Sequence, residues 1–117
     1  MSQKVRVYHN PGCSKCRLTM EILDDKGVDT SVIEYLNTPP NHDELNEMLD
    51  LLGVEPREIM RKHEAPYREN GLDDPGLSRE QLIQAMIEHP ILMERPIIIN
   101  GNKATIGRPP EKVLDIL

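Results

Sequence analysis

Two cysteines separated by two residues are the strongest chemical feature of the sequence. Cys13 and Cys16 follow the turn segment Asn10-Pro11-Gly12, and a short β-rich run precedes that turn. Cys13 is therefore predicted to lie where a helix begins, and the free N–H groups and the dipole of a helix N-terminus favour an anion there. We expect the pKa of Cys13 to lie below the free-cysteine value of about 8.5.

The side chains near Cys13 in the sequence reinforce this expectation. Lys15 and Arg17 follow the cysteine and add positive charge, and His9 is predicted to reach the same turn. Each of these groups favours the thiolate over the thiol, and Gly12 keeps large side chains away from the sulfur. The pattern predicts Cys13 as a nucleophile, with His9 supporting its thiolate.

Cys16 admits more than one interpretation. Two buried cysteines can pack as small apolar side chains, or they can take part in redox or nucleophilic chemistry. A zinc site needs about four ligands, and the four histidines show no complementary ligand pair, so no metal site is predicted. The spacing places Cys16 one helical turn from Cys13, within reach for a local disulfide, which makes it a candidate resolving thiol.

Three arginines lie at the boundaries of predicted elements. Arg95 precedes the strongest predicted strand and Arg108 ends its hairpin partner, so both are expected at one edge of the sheet, while Arg61 lies in Met60-Arg61-Lys62-His63 toward the end of a short predicted helix. Guanidinium groups bind two oxygens of a tetrahedral oxyanion at once. The pattern alone does not distinguish these three arginines from solvated surface residues.

Pro96 stands directly before that strand. The Arg95-Pro96 bond is a candidate for the cis form, which persists only where the fold holds it. In a thioredoxin-like domain such a proline faces the cysteine turn and shapes the substrate groove. The alternative is an ordinary trans proline that starts a strand.

The elements that must position these residues follow from periodicity and turn residues. Strands are predicted at residues 5–8, 32–35, 97–99 and 104–106, with a hairpin turn at Asn100-Gly101. Helices are predicted at 13–27, 45–53, 56–63, 78–89 and from 109 onward, and in the last of these Val113, Ile116 and Leu117 are expected on one face. A polar loop is predicted at 66–76. This order predicts an α/β, thioredoxin-like fold: a β-α-β unit, a helical insertion at about 41–90, then a β-hairpin and a C-terminal helix, with a mixed four-stranded sheet. The 117 residues are expected to form a single domain.

Composition excludes several classes of protein. The net charge of -6 argues against nucleic-acid binding, which needs a basic surface. The segment Met1-Ser2-Gln3-Lys4 lacks the apolar run of a secretion signal, and no stretch approaches the roughly 20 apolar residues of a membrane span. With only two cysteines, three positions apart, we expect a cytoplasmic protein, and we expect it to be a monomer.

Several separated motifs, in order, resemble the glutaredoxin-coupled arsenate reductase family. They are Tyr8-His9-Asn10-Pro11 before Cys13, Tyr35-Leu36-Asn37-Thr38-Pro39-Pro40, Arg61-Lys62 with Pro66-Tyr67, His89-Pro90-Ile91-Leu92, Arg95-Pro96-Ile97, and Arg108-Pro109 ahead of Val113-Leu114-Asp115-Ile116-Leu117. The resemblance covers nearly the whole chain. Because longer members of that family extend past the position of Leu117, we expect a short subgroup whose substrate is less secure than its fold.

The resemblance implies a mechanism and its partners. Arg61, Arg95 and Arg108 would bind the arsenate oxyanion beside Cys13, and His9 would help to hold the thiolate. Cys13 would attack arsenic with loss of water. Glutathione, the external reductant, would then attack the adduct, and glutaredoxin would complete reduction to arsenite. No bound cofactor and no metal are implied.

Cys16 departs from the pattern of the better-known members, which have another residue at this position. Two alternatives therefore stay open. The chain could be a general thiol–disulfide oxidoreductase that uses Cys13 and Cys16, or a non-enzymatic redox-sensing regulator of the Spx type, whose C-x-x-C disulfide is a switch. The segment Gly107-Arg108-Pro109 and the pair Arg61-Lys62 favour the enzyme.

Overall fold

A computed structural model of the protein describes residues 4–117, and the chain divides into two compact units. The sheet unit comprises the chain up to Thr38 together with Arg95–Leu117, and the helical unit is Pro39–Glu94. Organisation as a single domain stays a prediction. Most of the N-terminal segment considered as a secretion signal lies outside the described residues. Within residues 4–117, no helix has the length and the apolar character needed to cross a membrane.

Four strands form one mixed sheet in the sheet unit. They are β1 (Val5–His9), β2 (Thr30–Glu34), β3 (Ile97–Asn100) and β4 (Lys103–Ile106), and their order across the sheet is β2-β1-β3-β4. β1 and β2 are parallel because the helix α1 (Ser14–Asp25) connects them, whereas β3 is antiparallel to both β1 and β4. The predicted thioredoxin-like α/β fold with a mixed four-stranded sheet is confirmed.

One apolar cluster fixes the sheet against α1 and the C-terminal 3₁₀ helix, which spans Pro110–Ile116. Alternate side chains of a strand share a face, so Val5 and Val7 of β1 both join this cluster. Its buried members are Val5, Val7, Leu23, Ile98, Val113 and Ile116. Since each such side chain contributes roughly 1.5–3 kcal/mol when fully buried, the cluster holds β1 and β3 against the second half of α1.

The hairpin turn lies one residue later than predicted. Asn100 pairs with Lys103, so the turn consists of Gly101 and Asn102, and Gly101 adopts the positive φ of 63° that a tight turn requires. Asn100 stays in the strand because its side-chain Nδ2 donates to the Ile116 carbonyl oxygen at 2.6 Å.

The helical unit is built from well-capped helices. α2 (His42–Leu52) begins at a capping box formed by Asn41 and Glu44 and ends at Gly53, whose φ of 68° is left-handed. A short α3 (Ala65–Glu69) follows, and α4 (Arg79–Glu88) begins at the capping box of Ser78 and Gln81, as predicted.

Three local predictions were wrong. The helix predicted over 56–63 is a 3₁₀ turn, Pro56–Ile59, because Met60 leaves it to form a β-bridge with Met93. The predicted polar loop at 66–76 contains all of α3 except its first residue, and this helix buries Tyr67. In the C-terminal helix, Leu117 does not share the buried face of Val113 and Ile116, since 43% of it is exposed.

A candidate active site at Cys13

Cys13 occupies the junction between a strand and a helix. It is the N-cap of α1, with extended backbone angles, and its N–H donates to the Asn10 carbonyl oxygen at 3.0 Å. The Asn10 side-chain oxygen also accepts a hydrogen bond from the Gly12 N–H at 2.9 Å, which is a second hydrogen bond within the turn. Asn10 thus shapes the turn, a role that the sequence patterns did not assign to it.

The surroundings of the Cys13 sulfur favour its thiolate. Burial by itself raises the pKa of Cys13, but the N–H of Cys16, the Cys16 thiol, the Arg95 side chain and the N–H of Lys15 all lower it, and the pKa falls below its ordinary value. No side chain caps the first turn of α1, so its N–H groups remain directed at the sulfur. The predicted direction of the shift is confirmed.

Two basic residues, Lys15 and Arg17, follow Cys13 in the sequence. The backbone N–H of Lys15 lowers the pKa of Cys13, and an effect of the two side-chain charges on the thiolate stays a prediction. Arg17 donates from Nη1 to the Pro11 carbonyl oxygen at 2.9 Å, and its charge acts on His9. The groups that lower the pKa of Cys13 include the N–H groups of Cys16 and Lys15, the Cys16 thiol and a more distant arginine, Arg95.

Arg108 reaches the Cys13 sulfur from the far end of the chain. Its Nη2 lies 3.9 Å from Cys13 Sγ, and its Nε donates to the Arg95 carbonyl oxygen at 2.8 Å. The Arg95-Pro96 and Arg108-Pro109 bonds are both cis. The structure therefore brings two of the three predicted arginines together beside Cys13, as the hairpin of β3 and β4 led us to expect.

Arg95 has donor groups that the protein leaves unused. Its Nε and Nη1 are buried and have no hydrogen-bond partner within residues 4–117. Buried donors of this kind are uncommon, and each calls for a physical explanation. Because the same side chain lowers the pKa of Cys13, these donors lie near the nucleophile, where they can donate hydrogen bonds to the oxygens of an oxyanion.

Gly107 allows the arginine-bearing segment to approach α1. A Cβ atom at this position would lie 2.7 Å from Pro96 Cγ and 2.8 Å from Thr19 Oγ1. Thr19 is fully buried and donates to the Lys15 carbonyl oxygen at 2.8 Å, while the Gly107 N–H donates to the Pro96 carbonyl oxygen at 2.9 Å. Gly107 and Thr19 thus position Arg108; a glycine directly before Arg-Pro was the only sequence signal for this.

Pro96 is buried and lies against the Gly107 position. The candidate cis bond is indeed cis. Its role in shaping a substrate groove stays a prediction.

Arg61 lies in the helical unit. Its Nη1 is 2.9 Å from Glu64 Oε2 and its Nε is 3.6 Å from Glu94 Oε1, and its Nη2 is 3.2 Å from His63 Nε2. Within that unit the guanidinium is held in place by two carboxylates. Binding of an oxyanion by Arg61 stays a prediction.

His9 ends β1 and faces Glu34 across the parallel pair. Burial lowers the pKa of His9, Glu34 raises it and Arg17 lowers it further, with a net downward direction. Its Nδ1 is buried without a hydrogen-bond partner in the described chain, and it lines an open cleft of about 590 Å³ together with Pro11 and Glu34. No hydrogen bond within residues 4–117 joins His9 to Cys13, so its support of the thiolate stays a prediction.

Cys16 lies in the first turn of α1 and is completely buried. Burial raises the pKa of Cys16 to about 12, although the Asn10 N–H on its sulfur opposes this. At neutral pH Cys16 is thus a protonated thiol that donates toward the Cys13 sulfur. Both cysteines are free.

The part of the chain that the structure describes contains no group of three or more His, Cys, Asp or Glu side chains placed to hold a metal ion. Cys13 itself presents a thiolate beside two guanidinium groups, those of Arg95 and Arg108. Such an arrangement can bind a small oxyanion and attack its central atom.

Comparison with known proteins gives a consistent result. The family model described as "ArsC family" matches residues 8–116. The chain is 49% identical to the uncharacterized protein YfgD of Escherichia coli K12 over 100% of this chain and 99% of that protein. It is 39% identical to an arsenate reductase of Neisseria meningitidis serogroup A over 97% of this chain and 98% of that protein. A solved structure of an arsenate reductase from Vibrio cholerae superposes with a TM-score of 0.95 at 46% identity, and the match covers 100% of both chains.

Proposed function

Because this chain belongs to the ArsC family, we propose that it is an arsenate reductase, which converts arsenate to arsenite with the Cys13 thiolate as nucleophile. Full-length similarity to proteins named arsenate reductase supports the proposal. The contact between Arg108 and the Cys13 sulfur is the structural observation that carries it.

The first step is binding and attack. Arsenate is a tetrahedral anion, and its oxygens accept hydrogen bonds from Arg108 and from the unused donors of Arg95. Cys13 Sγ then attacks arsenic: an S–As bond forms, an As–O bond breaks, and the oxygen leaves as water after taking up protons. Arsenic stays in the +5 state. The arginines bear the negative charge that develops on the oxygens, and Arg61 is included as a third oxyanion ligand.

The second step is the reduction. Two thiol groups must together supply two electrons, so arsenate and two thiols yield arsenite, a disulfide and water. We assign the external supply of these electrons to glutathione and glutaredoxin, the pair that the family resemblance implies. The reaction needs no bound cofactor. A monomer in the cytoplasm, where thiols are kept reduced, suits this chemistry.

The Cys13–Cys16 contact also supports a second candidate, general thiol–disulfide exchange. That reaction needs a low-pKa thiol and a neighbouring thiol, but it does not need guanidinium groups with unused donors. The pair Arg95 and Arg108 therefore favours an oxyanion substrate over a protein disulfide.

The test is arsenite formation from arsenate in the presence of glutathione and glutaredoxin. We expect multiple turnovers with the wild-type protein and none with Cys13→Ser. Lys103→Ala is the matched control for substitution as such, because Lys103 is exposed on β4, and it should retain wild-type turnover. Absence of arsenite with the wild-type protein, or full activity of Cys13→Ser, would contradict the proposal.

A further inference from the structure

The buried thiol of Cys16 has no part in the reaction described so far. We propose that Cys16 is a second catalytic cysteine, which attacks Cys13 Sγ in the arsenylated intermediate and releases arsenite by forming a Cys13–Cys16 disulfide. This inference rests on the proposed function and deepens it. It changes where the first reducing thiol comes from: from inside the chain rather than from solution.

The position of the two sulfurs carries the inference. Cys13 is the N-cap of α1 and Cys16 lies in its first turn, so the two residues are three apart on one helical face, where Cβ atoms are about 5–6 Å apart. A disulfide needs Cβ atoms about 3.5–4.5 Å apart, a distance that a small adjustment of an N-terminal turn can supply. The Cys16 thiol already donates toward the Cys13 sulfur.

The burial of both sulfurs also supports Cys16 as the thiol that attacks Cys13 Sγ. Cys16 is 0% exposed and Cys13 is 7% exposed, so a thiol from solution must enter the site to reach Cys13 Sγ, whereas the Cys16 thiol need not. Cys16 is a thiol that is already inside. A backbone group is also in place to stabilise its anion, since the Asn10 N–H points at the Cys16 sulfur.

The electrostatics of the pair make the timing of this step depend on the substrate. In the resting protein burial raises the pKa of Cys16, and the Cys13 thiolate raises it further by its hydrogen bond and by its charge, while the Asn10 N–H and Arg95 lower it. When Cys13 Sγ bonds to arsenic, the negative charge moves from the sulfur to the arsenyl oxygens, and Cys16 loses the hydrogen bond to a thiolate that raises its pKa. The Asn10 N–H remains on the Cys16 sulfur, so the change at Cys13 favours ionisation of Cys16.

The step balances in atoms and electrons. The Cys16 proton passes to an arsenyl oxygen, and the Cys16 thiolate attacks Cys13 Sγ. The S–S bond forms as the S–As bond breaks, and the electron pair of the S–As bond stays on arsenic, which becomes arsenic(III) and leaves as arsenite. Two thiol sulfurs are oxidised to one disulfide. Glutathione and glutaredoxin then reduce this disulfide by thiol–disulfide exchange, which restores both thiols.

A single-turnover experiment tests the proposal. The fully reduced wild-type protein, freed of small thiols, is mixed with excess arsenate; arsenite is quantified and free thiols are counted, with peptide mapping of any disulfide. We expect close to one equivalent of arsenite per chain, loss of both thiols and a Cys13–Cys16 disulfide. Release of no arsenite by the wild-type protein under these conditions would overturn the proposal, and this measurement does not depend on the folding of any variant.

Two variants sharpen the result. Cys16→Ser and Cys16→Ala should release no arsenite in the single turnover, and the Cys13 adduct should accumulate, visible by mass spectrometry as an arsenic-bearing chain. Single-turnover release by both variants at the wild-type level would also overturn the role of Cys16.

The failure of this proposal differs from the failure of the proposed function. If the wild-type protein turns over arsenate with glutathione and glutaredoxin but releases none without them, the role of Cys16 is wrong and arsenate reduction stands. If it yields no arsenite under either condition, arsenate reduction itself is wrong.

Discussion

Arg108 and Cys13 lie 95 residues apart in the sequence, yet Arg108 Nη2 is 3.9 Å from Cys13 Sγ. The same guanidinium donates from Nε to the Arg95 carbonyl oxygen at 2.8 Å. One planar group therefore links the nucleophile to the segment that carries the second arginine.

Replacement of Arg108 by lysine should show how much the planar guanidinium group contributes to kcat/KM for arsenate. Lysine keeps the charge, but its single ammonium cannot span from the Arg95 carbonyl oxygen to the substrate and Cys13 Sγ. Loss of one charge-assisted hydrogen bond costs about 1.5–3 kcal/mol, so we expect kcat/KM for arsenate to fall about 10- to 150-fold. Steady-state kinetics measure this.

The control for that substitution is Arg68→Lys, since Arg68 is exposed in α3. It should leave kcat/KM unchanged. An Arg108→Lys protein as active as the wild type would show that the guanidinium fork is not used.

Gly107→Ala should destabilise the protein and impair the site together. The new Cβ would lie 2.7 Å from Pro96 Cγ and 2.8 Å from Thr19 Oγ1, and both neighbours are buried. Overpacking of this kind costs about 1–3 kcal/mol in the free energy of unfolding. If the backbone at residue 107 moves to relieve the close contacts, it shifts the neighbouring Arg108 as well. Urea denaturation and arsenate kinetics together measure the two effects.

Gly12→Ala provides the matched comparison for stability. A Cβ at Gly12 has its nearest neighbour at 3.4 Å, the Asn10 Oδ1 atom, so this variant should unfold at nearly the same urea concentration as the wild type. Equal stability of the Gly107→Ala and wild-type proteins would refute the packing argument.

Local features of the fold were predictable because they depend on neighbours in the sequence. The capping box of Ser78 and Gln81 fixes where α4 begins, and the strand–turn–helix pattern places Cys13 at a helix N-terminus. The parallel pairing of β1 and β2 follows from the helix that connects them.

The features of the fold and of the site that the sequence did not predict depend on contacts between distant parts of the chain. The position of Arg108 rests on the close packing of Gly107 against Thr19 and Pro96, contacts between distant residues of which the sequence shows only the glycine before Arg108. The short α3 was missed because Pro66 and its polar neighbours suggest a loop, whereas Pro is well tolerated in a first helical turn.

The two cysteines should react with iodoacetamide at different pH values. Alkylation follows the thiolate fraction. Burial alone would raise the pKa of Cys13, but the Cys16 and Lys15 N–H groups and Arg95 outweigh it, so this pKa is lowered. Burial raises the pKa of Cys16 to about 12. At neutral pH we expect label on Cys13 alone, with a half-maximal rate at a lower pH than for an ordinary cysteine. Mass spectrometric mapping across a pH series measures this.

Arg95→Ala should move that midpoint upward, because it removes one of the groups that stabilise the Cys13 thiolate. Lys103→Ala, which alters an exposed residue of β4, should leave the midpoint in place. Equal labelling of both cysteines at neutral pH would contradict the assignment of the low-pKa thiol.

His9 should make the stability of the protein depend on pH in a defined direction. Burial lowers the pKa of His9 in the folded state, so between the unfolded value of about 6.5 and the lower folded value the unfolded chain binds more protons. The contribution of neutral His9 is therefore present above pH about 6.5 and is lost as the pH falls toward the folded pKa. Urea denaturation of the wild-type and His9→Asn proteins at pH 7.5 and at lower pH should show a larger loss of unfolding free energy for the wild type on acidification. His42→Asn, at a histidine in α2 that bonds Gln84, controls for removal of an imidazole elsewhere. The same pH dependence in the wild-type and His9→Asn proteins would show that His9 is not held neutral by the fold.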